Sequence, residues 1–361
     1  MWARFGETLL VSCAGGLLFQ LIHTPLPWML GPLSLVMVWR QLLKRPLWWP
    51  VEIRNTALVI LGYIIGNSFS PVAAVQIFRQ LPAMFICTMA TVLFSLLIAY
   101  LTSRGTGMSL STGILGSIPG GLTQMVALTE EIKGVDISGV IFLQTFRLLA
   151  VVFVVPFLVI HGLSGNTAPG NAAGASHSIW TFTPVDPAGL AIYAAVALAA
   201  TFLAWRLKAP TPFLTGPILG TAVLNMFGGT GPEVPRLLVI VAQLFMGAYM
   251  GQQMQLAGLS NWKRMLPFTL MGSLFLVLFS LVLGELLSMF HSVKLVNAFL
   301  STAPGGISEM SITAIQVQGD LSLISAYQIF RVFFILFLVP PLLKRWLGSN
   351  TAKLSKFGDS S

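Results

Sequence analysis

The chain has 361 residues, of which 55% are hydrophobic and only 9% charged. A soluble domain is about one-quarter charged, so this composition excludes an ordinary soluble enzyme and indicates a polytopic membrane protein. The net charge of +9 comes from basic residues bordering apolar spans, without interleaved aromatics, so topology and anionic lipid headgroups account for it and nucleic acid does not.

The first residues, Met1-Trp2-Ala3-Arg4, look like the start of a signal peptide, but the apolar run leads straight into further spans. They are read as a retained first helix. Six apolar segments follow one another in the first half, roughly 6–22, 27–43, 55–70, 82–102, 107–129 and 137–160. Six more occupy the second, roughly 187–206, 212–228, 236–256, 266–290, 294–316 and 321–343. Several approach the ~20 residues needed to cross a bilayer, and some are short. Cys13 and Cys87 lie within apolar segments and indicate no disulfide framework.

The two halves are a duplication. An offset of 185 carries Pro27, Gly31 and Pro32 onto Pro212, Gly216 and Pro217, and Gly62 and Gly66 onto Gly247 and Gly251. The same offset carries Pro119, Gly120, Gly121 and Met125 onto Pro304, Gly305, Gly306 and Met310. After a one-residue deletion, Asp136, Gln144, Arg147 and Pro156 match Asp320, Gln328, Arg331 and Pro340. This divides the chain into a first membrane repeat (1–160), a Gly/Ala/Ser/Asn-rich linker (161–185), a second repeat (186–347) and a tail (348–361).

Placement of Lys and Arg gives the orientation. With five spans per half and each Pro-Gly-Gly segment returning to its own side, 15 basic residues fall inside and 3 outside, with Arg147 and Arg331 inside spans. Full crossing by those segments scores worse. The expected fold is therefore an all-α polytopic membrane protein. It has two inverted repeats of about five spans, each with one broken or re-entrant Pro-Gly-Gly element, and both termini are cytoplasmic.

The Pro-Gly-Gly elements are the leading site candidates. Proline removes a donor and glycine frees the backbone, so neither continues a helix. Irregular backbone inside a bilayer survives only in protein or beside water, and matched breaks in two halves point to a transport site. Pro119, Gly120 and Gly121 are followed by Thr123 and Gln124; Pro304, Gly305 and Gly306 are followed by Ser308 and Glu309. The alternative is a kink filled by neighbouring helices. Arg147 and Arg331 each lie about ten residues into an apolar span, with Gln144 and Gln328 three residues before them on the same helical face. A buried guanidinium needs a partner. That partner is either a substrate anion or an acid of the chain, with Glu309, Glu130 and Glu131 as candidates.

Glu309 has Gln124 as its counterpart, so only the second copy carries an acid. A lone membrane carboxylate can carry a coupling proton or ligate Na⁺, or be a fixed partner of Arg331 or of the broken backbone. Glu285 is a weaker candidate. Asp136 and Asp320 read as helix N-caps. Asn67 and Gln252 follow Gly62-x-x-x-Gly66 and Gly247-x-x-x-Gly251, whose spacing favours close helix packing; Asn67 is also a candidate for lining the site. The four histidines form no ligand-spaced cluster, and no nucleotide, metal or nucleophile motif occurs, so neither an enzyme nor a cofactor is expected.

The doubled Pro-Gly-Gly-[Leu/Ile]-[Thr/Ser]-[Gln/Glu]-Met motif, in halves of about 180 residues, resembles the bacterial AbrB-type duplicated membrane proteins. These are distinct from the small soluble DNA-binding AbrB regulators. Members are labelled ammonia monooxygenases or regulators of gene expression, and the resemblance implies the duplicated membrane fold. The residues point first to a secondary transporter of a small organic anion in the inner membrane, coupled to H⁺ or Na⁺, with membrane lipids around it. A homodimer is compatible with such scaffolds. A membrane sensor acting through a partner is the alternative, and a metal-dependent oxygenase the third reading.

Overall fold

In the computed structural model the described residues are 2–43, 47–120, 125, 129, 135–163, 187–229, 231–254 and 262–358. They are all-helical. The first half contains α1 (Trp2–Leu21), α2 (Pro27–Leu43), α3 (Val51–Asn67), α4 (Pro71–Thr106), α5 (Leu110–Ser117) and α6 (Ile137–Leu158), which a π-turn extends to Leu163. The second contains α7 (Pro187–Arg206), α8 (Pro212–Met226), α9 (Arg236–Gln253), α10 (Trp262–His291), α11 (Leu295–Thr302), α12 (Ile307–Gln316) and α13 (Leu321–Gly358). Most of the expected linker, from 164 onward, lies outside the described residues. So do Gly121, Thr123, Gln124, Glu130 and Glu131.

The duplication extends to backbone detail. Moved by 185 residues, α1 falls on α7 and α5 on α11 end to end. The turns repeat as well: His23 and Leu26 are left-handed at φ 57° and 49°, and their counterparts Lys208 and Thr211 at 54° and 47°. Asp136 caps α6 by accepting from the Ser138 N–H, and Asp320 caps α13 by accepting from the Leu323 N–H. Both were legible as caps.

Among the described residues five helices are long and apolar enough to cross a membrane: Pro71–Thr106, Ile137–Leu163, Gly189–Arg206, Lys263–His291 and Leu321–Leu338. The other expected spans fall short by length or polarity. The helices α2, α3, α8 and α9 have 17, 17, 15 and 18 residues. At 1.5 Å per residue these are shorter than the ~30 Å hydrocarbon core. Helix α1 has 20 residues but carries Arg4 and Glu7.

Those shorter helices pack on one another by the glycine spacing. A Cβ on Gly62 or Gly66 of α3 would run into the carbonyls of Leu214 and Ile218 on α8. A Cβ on Gly247 or Gly251 of α9 would do the same to Met29 and Leu33 on α2. Leu214 and Ile218 are the counterparts of Met29 and Leu33, so one contact is made twice. Close backbone approach, which the small-x-x-x-small pattern predicts, therefore holds α3 to α8 and α9 to α2.

Helices α1 and α7 pack on α2 and α8 in this body, and α5, α6, α11, α12 and α13 form a second body with α4 and α10, which are counterparts and run antiparallel. The Arg264 Nε–H, at the start of α10, donates to the Gly105 carbonyl at the end of α4 at 3.0 Å. Midway along, Phe94 stacks on Phe279, with ring centroids 4.1 Å apart. A buried apolar cluster joins the two bodies, with Leu58 and Leu61 of α3, Met246 of α9, Val152 of α6 and Ile307 and Ile312 of α12.

Candidate functional site

Each Pro-Gly-Gly element begins where a short helix stops. Helix α11 ends at Thr302, and Ala303 turns extended at φ −56°, ψ 135°, the conformation expected before proline. The Gly305 N–H then donates back to the Ala303 carbonyl at 2.9 Å, a tight turn around Pro304. The first copy repeats it: Ile118 is extended, and the Gly120 N–H reaches the Ile118 carbonyl at 2.8 Å. The first glycine of each motif answers to crowding. A Cβ on Gly120 would overlap the Met125 methyl, and one on Gly305 the Met310 methyl. The methionine that ends each motif is thus folded over the glycine that opens it.

A helix that stops leaves its last carbonyls without intrahelical donors. The following span supplies them. Gln144 of α6 donates to Leu115 O at 2.7 Å and Ile118 O at 2.9 Å, and Arg147 donates to Ser117 O at 3.1 Å and to Gln144 Oε1 at 2.7 Å. In the second half Gln328 donates to Leu300 O at 2.8 Å and Ala303 O at 3.2 Å. Arg331 donates to Ala303 O at 2.6 Å, to Gly305 O at 2.5 Å and to Gln328 Oε1. A cation at a helix C-terminus also meets the negative end of the helix dipole. The sequence left open an anion or an acid as the arginine partner; the structure adds backbone carbonyls, which hydropathy and spacing do not signal.

The charge on these guanidinium groups is met by dipoles. Among the described residues neither arginine is ion-paired with Glu309 or any other acid. Both are buried, 8% and 4% exposed, and in each the Nε–H has no hydrogen-bond partner. Each arginine sits one turn before a residue packed on the other repeat's break: Ile335 lies against Gly120, and Val151 shares a buried cluster with Ala303 and Met310. The site therefore gathers two buried positive charges, one from each half.

Glu309 is 5% exposed, in the first turn of α12. Its carboxyl folds back over Gly306, where a Cβ would overlap Oε2. Gly306 itself is extended at φ −80°, ψ 160°, so the side chain above it, not the backbone angle, calls for glycine. Oε2 has no hydrogen-bond partner. Ser308 is buried beside it, and Pro304 is buried before it. Glu285 is exposed on α10.

Two clefts adjoin the arginines. The larger, ≈ 290 Å³, is lined by Gly116, Ser117, Leu143, Arg147, Gly272, Ser273 and Leu276, with Ile98, Thr102 and Thr269. The smaller, ≈ 200 Å³, is lined by Ser301, Thr302, Tyr327, Arg331, Cys87, Thr88 and Thr91. Taken in those orders, the first seven residues and the second seven are counterparts, one for one, under the offset of the duplication. The hydroxyls that line these clefts were not singled out from the sequence. Their signal was there in the matched pair Thr88 and Ser273, masked by apolar neighbours.

Asn67 is not brought to this group. Its Nδ2 donates to the Gly231 carbonyl at 3.0 Å, and its oxygens accept from Asn225 at 2.9 and 3.2 Å. Asn225 in turn accepts from the Tyr193 hydroxyl at 2.7 Å. Gln252 donates to Leu47 O at 3.2 Å, also within the first body. Among the described residues no three His, Cys, Asp or Glu side chains come together as a metal ligand set.

The sequence model of the family described as "Transition state regulatory protein AbrB" matches residues 28–347. Among curated proteins, the chain is 27% identical to the "Uncharacterized protein YhjN" of Bacillus subtilis, covering 97% of this chain and 96% of that one. It is 26% identical to the "Putative regulator AbrB" of Escherichia coli, covering 98% and 99%.

Proposed function

Since the chain belongs to the AbrB family, we propose that it is a secondary transporter of a small organic anion in the bacterial inner membrane. The anion would lie between the two Pro-Gly-Gly elements, near Arg147 and Arg331. One observation carries this reading: two buried guanidinium groups, one from each repeat, lie on helices that pack against the other repeat's break, with no acid paired to them among the described residues. A charge taken into a medium of low dielectric is costly without a counter-charge, and one anion bound between the two breaks would serve both guanidinium groups. Their Nη groups fix the broken helices and the Nε–H groups remain to receive the ligand.

Glu309 is the coupling group in this reading. A buried carboxyl with one oxygen unpaired can exchange a proton or receive Na⁺, and Gln124 in the other repeat cannot. The inverted arrangement is supported by α4 and α10, and the cytoplasmic side of both termini by the Lys and Arg placement. Counterpart helices that run antiparallel are related by an axis across their length, which for spanning helices lies in the membrane plane.

The test is uptake into proteoliposomes. A panel of small carboxylates is supplied with imposed H⁺ or Na⁺ gradients, for the parent protein and for Glu309→Gln. Gradient-dependent uptake that loses its coupling in Glu309→Gln is the expected result. No uptake of any panel member under either gradient overturns the reading. A second reading, a membrane sensor acting through a partner, takes its support from the regulator name of the Escherichia coli relative. A deletion phenotype rescued by a transport-dead Glu309→Gln protein would favour it.

A further inference from the structure

The two clefts are copies of one another, yet they sit at different depths. Helix α4 lines both, with Cys87, Thr88 and Thr91 in the smaller cleft and Ile98 and Thr102 in the larger. At 1.5 Å per residue their centres are about 17 Å apart along α4, more than half of a ~30 Å hydrocarbon core. Ser95 lies between them, fully buried, and its counterpart Ser280 is equally buried on α10. Beside the larger cleft the end of α4 meets the start of α10, which sets that cleft toward one face and the smaller toward the other.

Each cleft reaches one guanidinium whose Nε–H is buried and unpaired. A buried charged donor without an acceptor is costly, so its persistence points to an acceptor that comes and goes. Thr91, Thr269, Ser273, Ser301 and Thr302 already donate to backbone carbonyls, so Thr88, Thr102 and Ser117 are the cleft hydroxyls placed to donate to an oxyanion, and none of them brings a competing negative charge. Most of the ≈ 290 and ≈ 200 Å³ is open mouth, and the enclosed space in each cleft is about that of one water molecule, so only a very small anion fits without the clefts widening.

We propose that these clefts are the two entry routes to one anion position shared by Arg147 and Arg331, one opening on each membrane face, and that the anion is a small monocarboxylate. This rests on the transporter reading above and adds its routes and its substrate class. Ser273 is the counterpart of Thr88, and each lines its own cleft beside the residue that corresponds to the other repeat's Cys87 or Gly272.

Thiol labelling tests the routes without any transport measurement. In a Cys13→Ser background Cys87 reports the smaller cleft. In Cys13→Ser/Cys87→Ser/Ser273→Cys, a near-isosteric change, residue 273 reports the larger. A membrane-impermeant methanethiosulfonate is applied to right-side-out and to inside-out vesicles, with and without acetate. Because accessible thiolate sets the rate, each cysteine should react about tenfold or more faster from one face, and the two should prefer opposite faces. Acetate should slow both severalfold, and Arg147→Gln/Arg331→Gln should abolish that protection. Labelling of both from the same face overturns the paired routes. So does no labelling of either one in vesicles when the detergent-denatured protein labels fully. Opposite-face labelling unaffected by acetate overturns the monocarboxylate. Opposite faces with acetate protection but no uptake of any solute would sink the transporter reading and leave the clefts in place.

Discussion

Phe94 and Phe279 are the same residue of the duplicated unit, and they stack on each other at 4.1 Å with planes 6° apart. Counterparts touch only at the axis that relates their repeats, so this pair marks it. The symmetry carries a prediction. Phe94→Ala and Phe279→Ala should destabilise by similar amounts, and a double-mutant cycle in detergent denaturation should return a coupling of about 0.5–1.5 kcal/mol. A zero coupling would place the axis elsewhere.

Gly306 keeps space for the Glu309 carboxyl. Its extended backbone accommodates alanine, so Gly306→Ala should leave the midpoint of thermal unfolding within a few degrees. The displaced carboxyl should nevertheless lower coupled uptake about tenfold or more, as misplacement of a working group by an ångström does. A control at Gly6, where an added Cβ meets nothing within 4 Å, should leave both measurements unchanged.

Arg331 serves two carbonyls and the Gln328 oxygen, and Arg147 serves one carbonyl and the Gln144 oxygen. Removing a donor from buried acceptors costs about 1–3 kcal/mol per group left unpaired. Arg331→Met should therefore be more destabilising than Arg147→Met, read by denaturant midpoint in the absence of ligand. Arg331→Lys should recover only part of the loss, because an ammonium cannot span two carbonyls and an amide in one plane.

Asn67 ties α3 to Asn225 of α8 and to Gly231. Asn67→Ala should cost about 1–3 kcal/mol by removing the donor to the Gly231 carbonyl, while Asn225 keeps its bond to the backbone oxygen of residue 67, so Asn67→Ala/Asn225→Ala should fall only slightly below additive. The KM for uptake should stay at the parent value, because these groups lie outside both clefts.

Much of this was written plainly in the chain. The offset of 185 predicts the pairing of elements, Asp136 and Asp320 announce two helix starts, and the Gly-x-x-x-Gly spacings announce close packing. What the sequence hid has physical reasons. Arg147 looks like an isolated charge because its partners are backbone carbonyls, which every residue owns and no pattern distinguishes. Asn67 looks like a site residue because its partner Asn225 is 158 positions away. The clefts are built from threonine and serine that also hydrogen-bond within their own helices, as Ser273 does to the Thr269 carbonyl. Such residues are common in buried helices, and only their convergence on an arginine sets them apart.

The clamp on each broken helix has a consequence for how the protein is made. The Ala303 carbonyl waits for a guanidinium 28 residues further along the chain. During synthesis the break leaves the ribosome ahead of the helix that carries this group, so α11 cannot settle in its final setting until α13 has followed. Biogenesis of each half therefore ends on its last helix. A chain cut short before Gln328 would carry a second repeat whose broken element lacks these donors.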